Sequence, residues 1–173
     1  GGVSYWGAGS GNRTVANVIS GNAGVGVGVG NATPGAVIQG NTIGLGMDGS
    51  TVVANGNEGV FVNTASTGTL IGTNADGSND AAERNVISGN ANGILIVDAG
   101  TTGTLVQGNL IGTDASGLLP RGNTFDGVRI GSGATANVVG GSNPLHRNVI
   151  SGNGQDGVQI ADEASDGNTV RGN

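Results

Sequence analysis

Valine and isoleucine residues alternate with glycine or polar residues in short phrases that recur along the chain. The phrase Gly-Val/Ile-x-Val/Ile stands at Gly59–Val62, Gly93–Ile96, Gly127–Ile130 and Gly157–Ile160, and Gly24–Val29 is a looser first copy. Side chains alternate between the two faces of a β-strand, so both apolar residues of each phrase share one face. The pattern therefore predicts one short strand in every repeat. Its first inward residues are Val25, Val60, Ile94, Val128 and Val158.

Two further apolar phrases recur in each repeat. The hexapeptide NVISGN supplies one of them three times, at Asn17–Asn22, Asn85–Asn90 and Asn148–Asn153. A unit of three short strands therefore repeats along the chain, which is typical of solenoid proteins. We predict that the inward residues of the second strand are Ile38, Ile71, Val106, Val139 and Val170, and that those of the third strand are Ile19, Ile43, Ile87, Ile111 and Ile150.

The connections between the predicted strands alternate between short and long. In the units that begin at Gly24 and Gly93, a Gly-Asn pair joins the second strand to the third, and a long loop follows the third strand. In the units that begin at Gly59 and Gly127, the long segment instead separates the second strand from the third. Glycine tolerates the positive φ of a tight corner, and the aligned asparagines are expected to stack as a hydrogen-bonded ladder. This alternation explains why the first two NVISGN copies begin 68 residues apart.

The order of the phrases NxVxGN, xIGT and GVxI resembles the parallel β-helix repeat of the superfamily that contains pectate lyases, polygalacturonases, alginate epimerases and many large bacterial surface proteins. The resemblance extends from Asn17 to Asn173. It implies an all-β, right-handed, single-stranded parallel β-helix (a β-solenoid) of about five three-strand rungs. Residues 1–173 are expected to form a single β-solenoid domain taken from a longer repeat array, with Gly1-Gly2 just after a second strand.

Composition and charge exclude several other classes of protein. Glycine accounts for 38 of 173 residues, 2% are aromatic and 10% are charged, so a helical bundle or a conventional layered core is hard to build. The net charge of −6 disfavours nucleic acid and anionic membranes as partners, and no apolar run is long enough to span a membrane. The absence of cysteine excludes disulfides and is compatible with an extracellular or cell-surface location in bacteria.

Acidic residues recur directly before the first strand of the repeat, at Glu58, Asp126 and Asp156, with Asn92 in the equivalent place. The resemblance implies a substrate groove along this face, where paired carboxylates can act as acid and base on glycosidic bonds. A polar residue before glycine also makes local turn hydrogen bonds. Because these acids recur once per unit whereas a catalytic site occurs once, the turn interpretation is favoured. The three acids remain candidate ligand-binding residues.

The sequence motifs of the enzymes in this superfamily are absent. The single histidine, His146, lies in the segment NPLHR, and there is neither an Asp pair with Gly-His-Gly nor an Asp-Pro-His-Asp motif. We therefore predict no catalytic residues and no catalytic cofactor. Tyr5 and Trp6, which the repeat alignment places in an inserted loop, are further candidates because aromatic rings stack on sugars or on a neighbouring subunit.

Three predicted loops carry an aspartate in a flexible turn sequence. The candidate metal ligands in these loops are Asp48, Asp76 and Asp114, since carboxylates in flexible turns are ligands that calcium uses. The alternative is that each aspartate accepts hydrogen bonds from its own turn. Structural calcium therefore remains an open interpretation.

A structural role is the function that the repeats favour. We expect a non-catalytic segment of an extracellular bacterial surface or fibre-forming protein that associates with itself, head to tail or laterally. The alternative is a carbohydrate-active domain (a lyase, hydrolase or epimerase) or a glycan-binding adhesin, with a polysaccharide as partner. The apolar outward residues of the second strand, Val37, Leu70, Leu105 and Val138, are expected to lie under the long loops or to make a lateral contact. We also expect Ile87→Asp to unfold the protein and Gln107→Asp, on the outward face, to be mild.

Overall fold

A computed structural model describes all residues from Gly1 to Asn173, and its short strands are arranged in rungs of three. The first two rungs contain β1 (Val3–Trp6), β2 (Arg13–Val15), β3 (Val18–Ile19), β4 (Val27–Gly30), β5 (Val37–Gln39) and β6 (Thr42–Ile43). The third and fourth contain β7 (Val60–Val62), β8 (Leu70–Gly72), β9 (Val86–Ile87), β10 (Ile94–Ile96), β11 (Leu105–Gln107) and β12 (Leu110–Ile111). The fifth contains β13 (Val128–Ile130), β14 (Val138–Gly140) and β15 (Val149–Ile150), and the sixth contains β16 (Val158–Ile160) and β17 (Thr169–Arg171).

Equivalent strands of successive rungs pair in three parallel sheets. The first sheet has the order β1-β4-β7-β10-β13-β16, the second β2-β5-β8-β11-β14-β17, and the third β3-β6-β9-β12-β15. The predicted right-handed parallel β-helix is therefore confirmed, with five complete rungs and a sixth that has two strands. The only helical segments are α1 (Asp80–Glu83) and a 3₁₀ helix (Pro144–His146). No helix has the length and apolar character that crossing a membrane requires.

The interior of the β-helix is a continuous stack of aliphatic side chains, in which 18 buried residues form one cluster. Ile43, Ile87 and Ile111 of the third sheet, for example, are aligned in successive rungs and fully buried. The strand pairings confirm the predicted inward ladders except at the second rung, where Val27 and not Val25 is aligned with Val60. That prediction was wrong by two residues because GVGVGV satisfies a period of two in either register.

The first residues of the chain also occupy a different position in the repeat from the predicted one. Strand β1 pairs with β4, with Val3 opposite Val27 and Trp6 opposite Gly30. Gly2 therefore precedes a first strand and does not follow a second one. Tyr5 and Trp6 belong to β1 and not to an inserted loop. The prediction failed because Tyr5 stands where the other first strands have valine or isoleucine.

The predicted alternation of long connections is confirmed. Loops 44–59 and 112–127 follow the third strands of the second and fourth rungs. Loops 73–85 and 141–148 separate the second and third strands of the third and fifth rungs, and they contain α1 and the 3₁₀ helix. Long loops at the same corner touch each other across the intervening rung, since Arg121 Nε donates to Ser50 O at 2.6 Å.

Asparagine side chains form two long hydrogen-bonded ladders. The ladder at the corner between the second and third strands confirms the prediction, and the ladder that follows the third strands was not predicted. At each step, Nδ2 donates to the Oδ1 of the asparagine in the next rung; Asn85 Nδ2 donates to Asn109 Oδ1 at 2.9 Å. The longer ladder contains Asn17, Asn41, Asn85, Asn109, Asn148 and Asn173. The shorter ladder contains Asn22, Asn55, Asn90, Asn123 and Asn153.

The outward face of the second sheet is partly covered, and Val37, Leu70, Leu105 and Val138 are half-buried. Gln107, at the end of β11, is only 6% exposed and donates from Nε2 to Gly140 O at 3.2 Å. The 3₁₀ helix of loop 141–148 packs against this end of the strand. The mild effect predicted for Gln107→Asp is therefore no longer expected, because the substitution would place a carboxylate in a buried site; urea unfolding of the variant would measure the loss.

Candidate functional site

Glu58, Asn92, Asp126 and Asp156 occupy equivalent positions in four successive rungs, each directly before the glycine that precedes a first strand. Backbone hydrogen bonds link them, since the amide after each residue donates to the carbonyl of the next rung's member. The three predicted acids therefore share one face. However, Asn92 separates Glu58 from Asp126, which are two rungs and about 10 Å apart. Only Asp126 and Asp156 are direct neighbours.

The carboxylate of Asp126 is fully buried and is used within the protein. Its Oδ1 accepts a hydrogen bond from the amide of Asp156 at 3.0 Å, and its own amide donates to Asn92 Oδ1 at 3.2 Å. Its Oδ2 has no hydrogen-bond partner but lies 3.6 Å from Nη1 of Arg129. These contacts support the turn interpretation for Asp126. Among the three acids, Asp156 is exposed and Glu58 is half-buried, so these two face solvent.

Tyr5 and Trp6 do not form an aromatic pair, because successive side chains of a strand point to opposite faces. Tyr5 points inward, packs against the aliphatic core, and its hydroxyl lies 2.9 Å from Thr14 Oγ1. Trp6 points outward and is 50% exposed. Of the two predicted residues, only Trp6 is therefore available to a ligand.

The indole of Trp6 packs against two glycine residues of the next rung, Gly28 and Gly30. A Cβ atom built on Gly30 would lie 1.9 Å from Trp6 Cζ3, and one built on Gly28 would lie 3.3 Å from Trp6 Cζ2. The alternating Gly and Val residues of β4 therefore serve two purposes. The valines fill the core, and the glycines leave room for the ring. Phe61, at the outward position of the following rung, continues this surface along the axis.

We expect Gly30→Ala to displace the indole of Trp6 into solvent, because the new methyl group would overlap the ring. Trp6 is the single tryptophan, so its emission maximum should shift to the red and acrylamide should quench it more strongly. Gly9→Ala is the matched control, since a Cβ at Gly9 meets nothing within 4 Å. An unchanged spectrum in Gly30→Ala would contradict this packing of the ring.

The three candidate calcium ligands lie in separate turns, and each carboxylate accepts hydrogen bonds from its own loop. Asp48 accepts from the amides of Ser50 and Thr51 and from Thr51 Oγ1. Asp114 accepts from Ser116 Oγ and from the amides of Leu118 and Leu119. Asp76 accepts from Ser78 N and Asn74 Nδ2. The structure contains no group of three or more acidic or histidine side chains that could hold a metal ion. The geometry therefore favours the turn interpretation at all three positions.

No protein-family model matches the sequence, and neither a curated protein nor a solved structure matches it significantly. The parallel β-helix fold is therefore established by the three registered sheets alone, and any function has to be argued from individual residues.

The Thr51 hydroxyl, together with the amides of Ser50 and Thr51, lowers the pKa of Asp48 to about 2. A depressed folded-state pKa stabilises the fold above the ordinary value of 3.8, and this contribution is lost as the pH falls towards 2. We expect Thr51→Ala to raise the pKa of Asp48 towards 3.8, as measured by NMR titration of the carboxyl carbon. Asp114, whose pKa is lowered first by the Ser116 hydroxyl, should titrate unchanged in the same spectra. If Thr51→Ala changed the pKa of both aspartates, or of neither, the Thr51 hydroxyl would not be the specific cause of the low pKa of Asp48.

The sequence pattern does not distinguish Arg84 and Arg147 as site residues, since each is an ordinary part of the repeat. Both residues directly precede an asparagine of the longer ladder. The structure places both in one cleft between loops 73–85 and 141–148. Their shared position before Asn85 and Asn148 is the one sequence feature from which their proximity could have been predicted.

Proposed function

We propose that this protein is a non-catalytic structural segment of an extracellular or cell-surface β-helix protein, and that it associates with itself in longer rods. The phrase order of its repeats supports membership of the pectate-lyase-like superfamily. The observation that carries the proposal is the longer asparagine ladder, which continues from Asn17 through every rung to Asn173. Each step satisfies a corner of the backbone with a side chain from the neighbouring rung.

This regularity is the property that a rod requires. In aligned rungs, the buried polar groups find hydrogen-bond partners along the axis in the same way at every level. The stability of the stack therefore does not depend on one local site. A catalytic site instead requires a departure from the repeat, where catalytic groups converge. Here the acids before the first strands follow the repeat, and the carboxylate of Asp126 is enclosed.

Electron microscopy of the purified chain, in negative stain and then in vitreous ice, tests this proposal. Six stacked rungs are about 29 Å long at the usual strand spacing. We expect rods longer than this at high protein concentration, with an axial repeat of about 4.8 Å per rung. Discrete particles of single-chain length at every concentration would contradict self-association.

The exposed ring of Trp6 favours a second candidate function, glycan binding on the outer face of the first sheet. The ring covers the second rung, and Phe61 and Leu95 occupy the outward positions of the third and fourth rungs. Aromatic rings with an exposed face stack on sugars, and Glu58 and Asp156 can accept hydrogen bonds from hydroxyl groups.

A fluorescence titration with pectin, alginate and neutral polysaccharides tests this second function. Binding should change the emission of Trp6 and should be lost in Trp6→Ala, as measured by glycan pull-down. Met47→Ala is a suitable control because Met47 is 92% exposed in a different loop. Release of reducing ends or unsaturated uronates, abolished by Asp156→Ala, would instead indicate an enzyme. If the polysaccharides are neither bound nor cleaved, the glycan-binding function and the enzymatic alternative both lose their support.

A further inference from the structure

A cleft of about 180 Å³ lies between loops 73–85 and 141–148, on the side of the β-helix where the second strands turn into the third. Arg84, Gly108 and Arg147 occupy equivalent positions in three successive rungs, because each directly precedes an asparagine of the longer ladder. The two arginines are therefore two rungs, or about 10 Å, apart. Gly108 between them has no side chain, so both guanidinium groups border the same space.

The two arginines of this cleft form no ion pair within the protein. The single ion pair of the structure joins Arg129 to Asp126. Arg84 donates from Nε to Gly108 O at 2.8 Å, which fixes its stem and leaves its two terminal nitrogens without a partner. The side chain of Arg147 makes no hydrogen bond and is exposed. Two of the six basic residues of an acidic protein are thus unpaired in one cleft.

Asp80 also borders the cleft, but its carboxylate is directed into its own loop. Oδ1 accepts a hydrogen bond from Thr73 Oγ1 at 2.7 Å, and Oδ2 accepts one from the amide of Gly77 at 3.0 Å. Its negative charge nevertheless reduces the charge of the cleft from two units to one. A monoanion therefore matches the cleft better than a dianion such as phosphate.

Part of the cleft lining is apolar. Pro144, Leu145 and Val149 form this part, and Leu145 and Val149 are 45% and 36% exposed. Exposed leucine and valine side chains beside two arginines offer contact to the body of a ligand while the guanidinium groups bind its charge. The volume is smaller than that of a usual drug-sized site, which limits the occupant to one charged group and a small body.

We infer that this cleft binds the carboxylate of a small monoanionic molecule with an apolar or ring-shaped body. Guanidinium groups match carboxylates in geometry, and each donates two parallel hydrogen bonds. Two chemical sources fit this description, a sugar acid and an N-acylated amino acid. The inference does not depend on the proposed structural role, because it concerns loops that stand outside the stacked strands.

NMR titration of the arginine Nε–Hε signals tests the inference, with glucuronate and N-acetylleucine as probes and glucose and N-acetylleucinamide as their neutral counterparts. At least one carboxylate should shift the signals of Arg84 and Arg147, and the neutral counterparts should shift neither. A response to glucuronate alone assigns the site to sugar acids, and a response to N-acetylleucine alone assigns it to acylated amino acids.

Arg147→Gln should weaken this binding about tenfold or more, since a charge-assisted pair is lost. The exposed side chain of Arg147 makes no hydrogen bond and no ion pair within the protein, so the variant should unfold at the same urea concentration. Arg171→Gln is the matched control, because Arg171 is exposed and does not line the cleft. The inference is overturned if neither carboxylate binds, if the neutral compounds bind equally, or if Arg171→Gln weakens binding as much. Acetate that binds as tightly as both probes would overturn the role of the apolar part of the lining.

Discussion

Ile87→Asp is expected to prevent folding. Ile87 is fully buried in β9, between Ile43 of β6 and Ile111 of β12. Truncating a buried isoleucine alone costs about 2–5 kcal/mol, and an unpaired carboxylate in a dry interior adds several more. A domain is stable by about 5–15 kcal/mol in total. Circular dichroism at 25 °C should therefore show loss of the β-sheet signal, or folding only after the aspartate is protonated.

Thr42→Asp is the matched control for this prediction. Thr42 belongs to the two-residue strand β6, directly before Ile43, and its side chain points outward and is half-buried. The carboxylate would reach solvent there, so we expect a loss of about 1 kcal/mol or less. The two variants introduce the same residue in neighbouring strands of one sheet. A difference between them therefore reports whether the side chain points inward or outward. If both variants lost similar stability, the inward ladders would not be the main source of stability.

Asn109→Ala is expected to lower the free energy of unfolding by about 3–5 kcal/mol, since several buried groups lose a partner at about 1–3 kcal/mol each. Asn109 is fully buried in the longer ladder. Its Oδ1 accepts from the amide and from Nδ2 of Asn85, and its Nδ2 donates to Ile71 O. The alanine methyl group replaces none of these contacts, and the buried corner has no access to water. Urea unfolding followed by circular dichroism gives the free energy by linear extrapolation.

Asn17→Ala provides the comparison at the exposed end of the same ladder. Asn17 donates from Nδ2 to Asn41 Oδ1 at 3.1 Å, but its amide also donates to that oxygen and remains in the variant. We expect a loss of about 1 kcal/mol or less. A loss at Asn109 no larger than that at Asn17 would show that the ladder contributes little to stability. It would also remove the main support for the proposed structural role.

The sequence pattern predicted the interior better than the surface. The pattern predicts one inward ladder of Ile43, Ile87 and Ile111 because an aliphatic residue at a fixed place in each repeat has few other uses. The longer asparagine ladder is predicted because asparagines recur at the Gly-Asn corner of successive rungs. The errors at Val25 and at Tyr5 arose where the repeat is degenerate, since GVGVGV fits two registers and Tyr5 replaces an aliphatic residue.

The chemistry of individual side chains was less predictable. Asp126 and Asp156 have the same place in the repeat, yet one carboxylate is enclosed beside Arg129 and the other is exposed. Gln107 has the predicted outward position in β11, but the 3₁₀ helix of loop 141–148 covers it. In both cases the difference depends on which loop or neighbouring rung covers the residue.

The three-strand repeat, the aliphatic ladders, the longer asparagine ladder and the corners that carry the long loops can all be predicted from the sequence. These features repeat at regular intervals, so the same local reason applies at every level of the stack. Three features become visible only in the folded protein: the register of β1 and β4, the placement of Tyr5 in the core and Trp6 on the surface, and the proximity of Arg84 and Arg147 in one cleft. The arginines are 63 residues apart in the chain. They become neighbours because stacking places residues two rungs apart within about 10 Å, a distance that depends on register and not on local sequence.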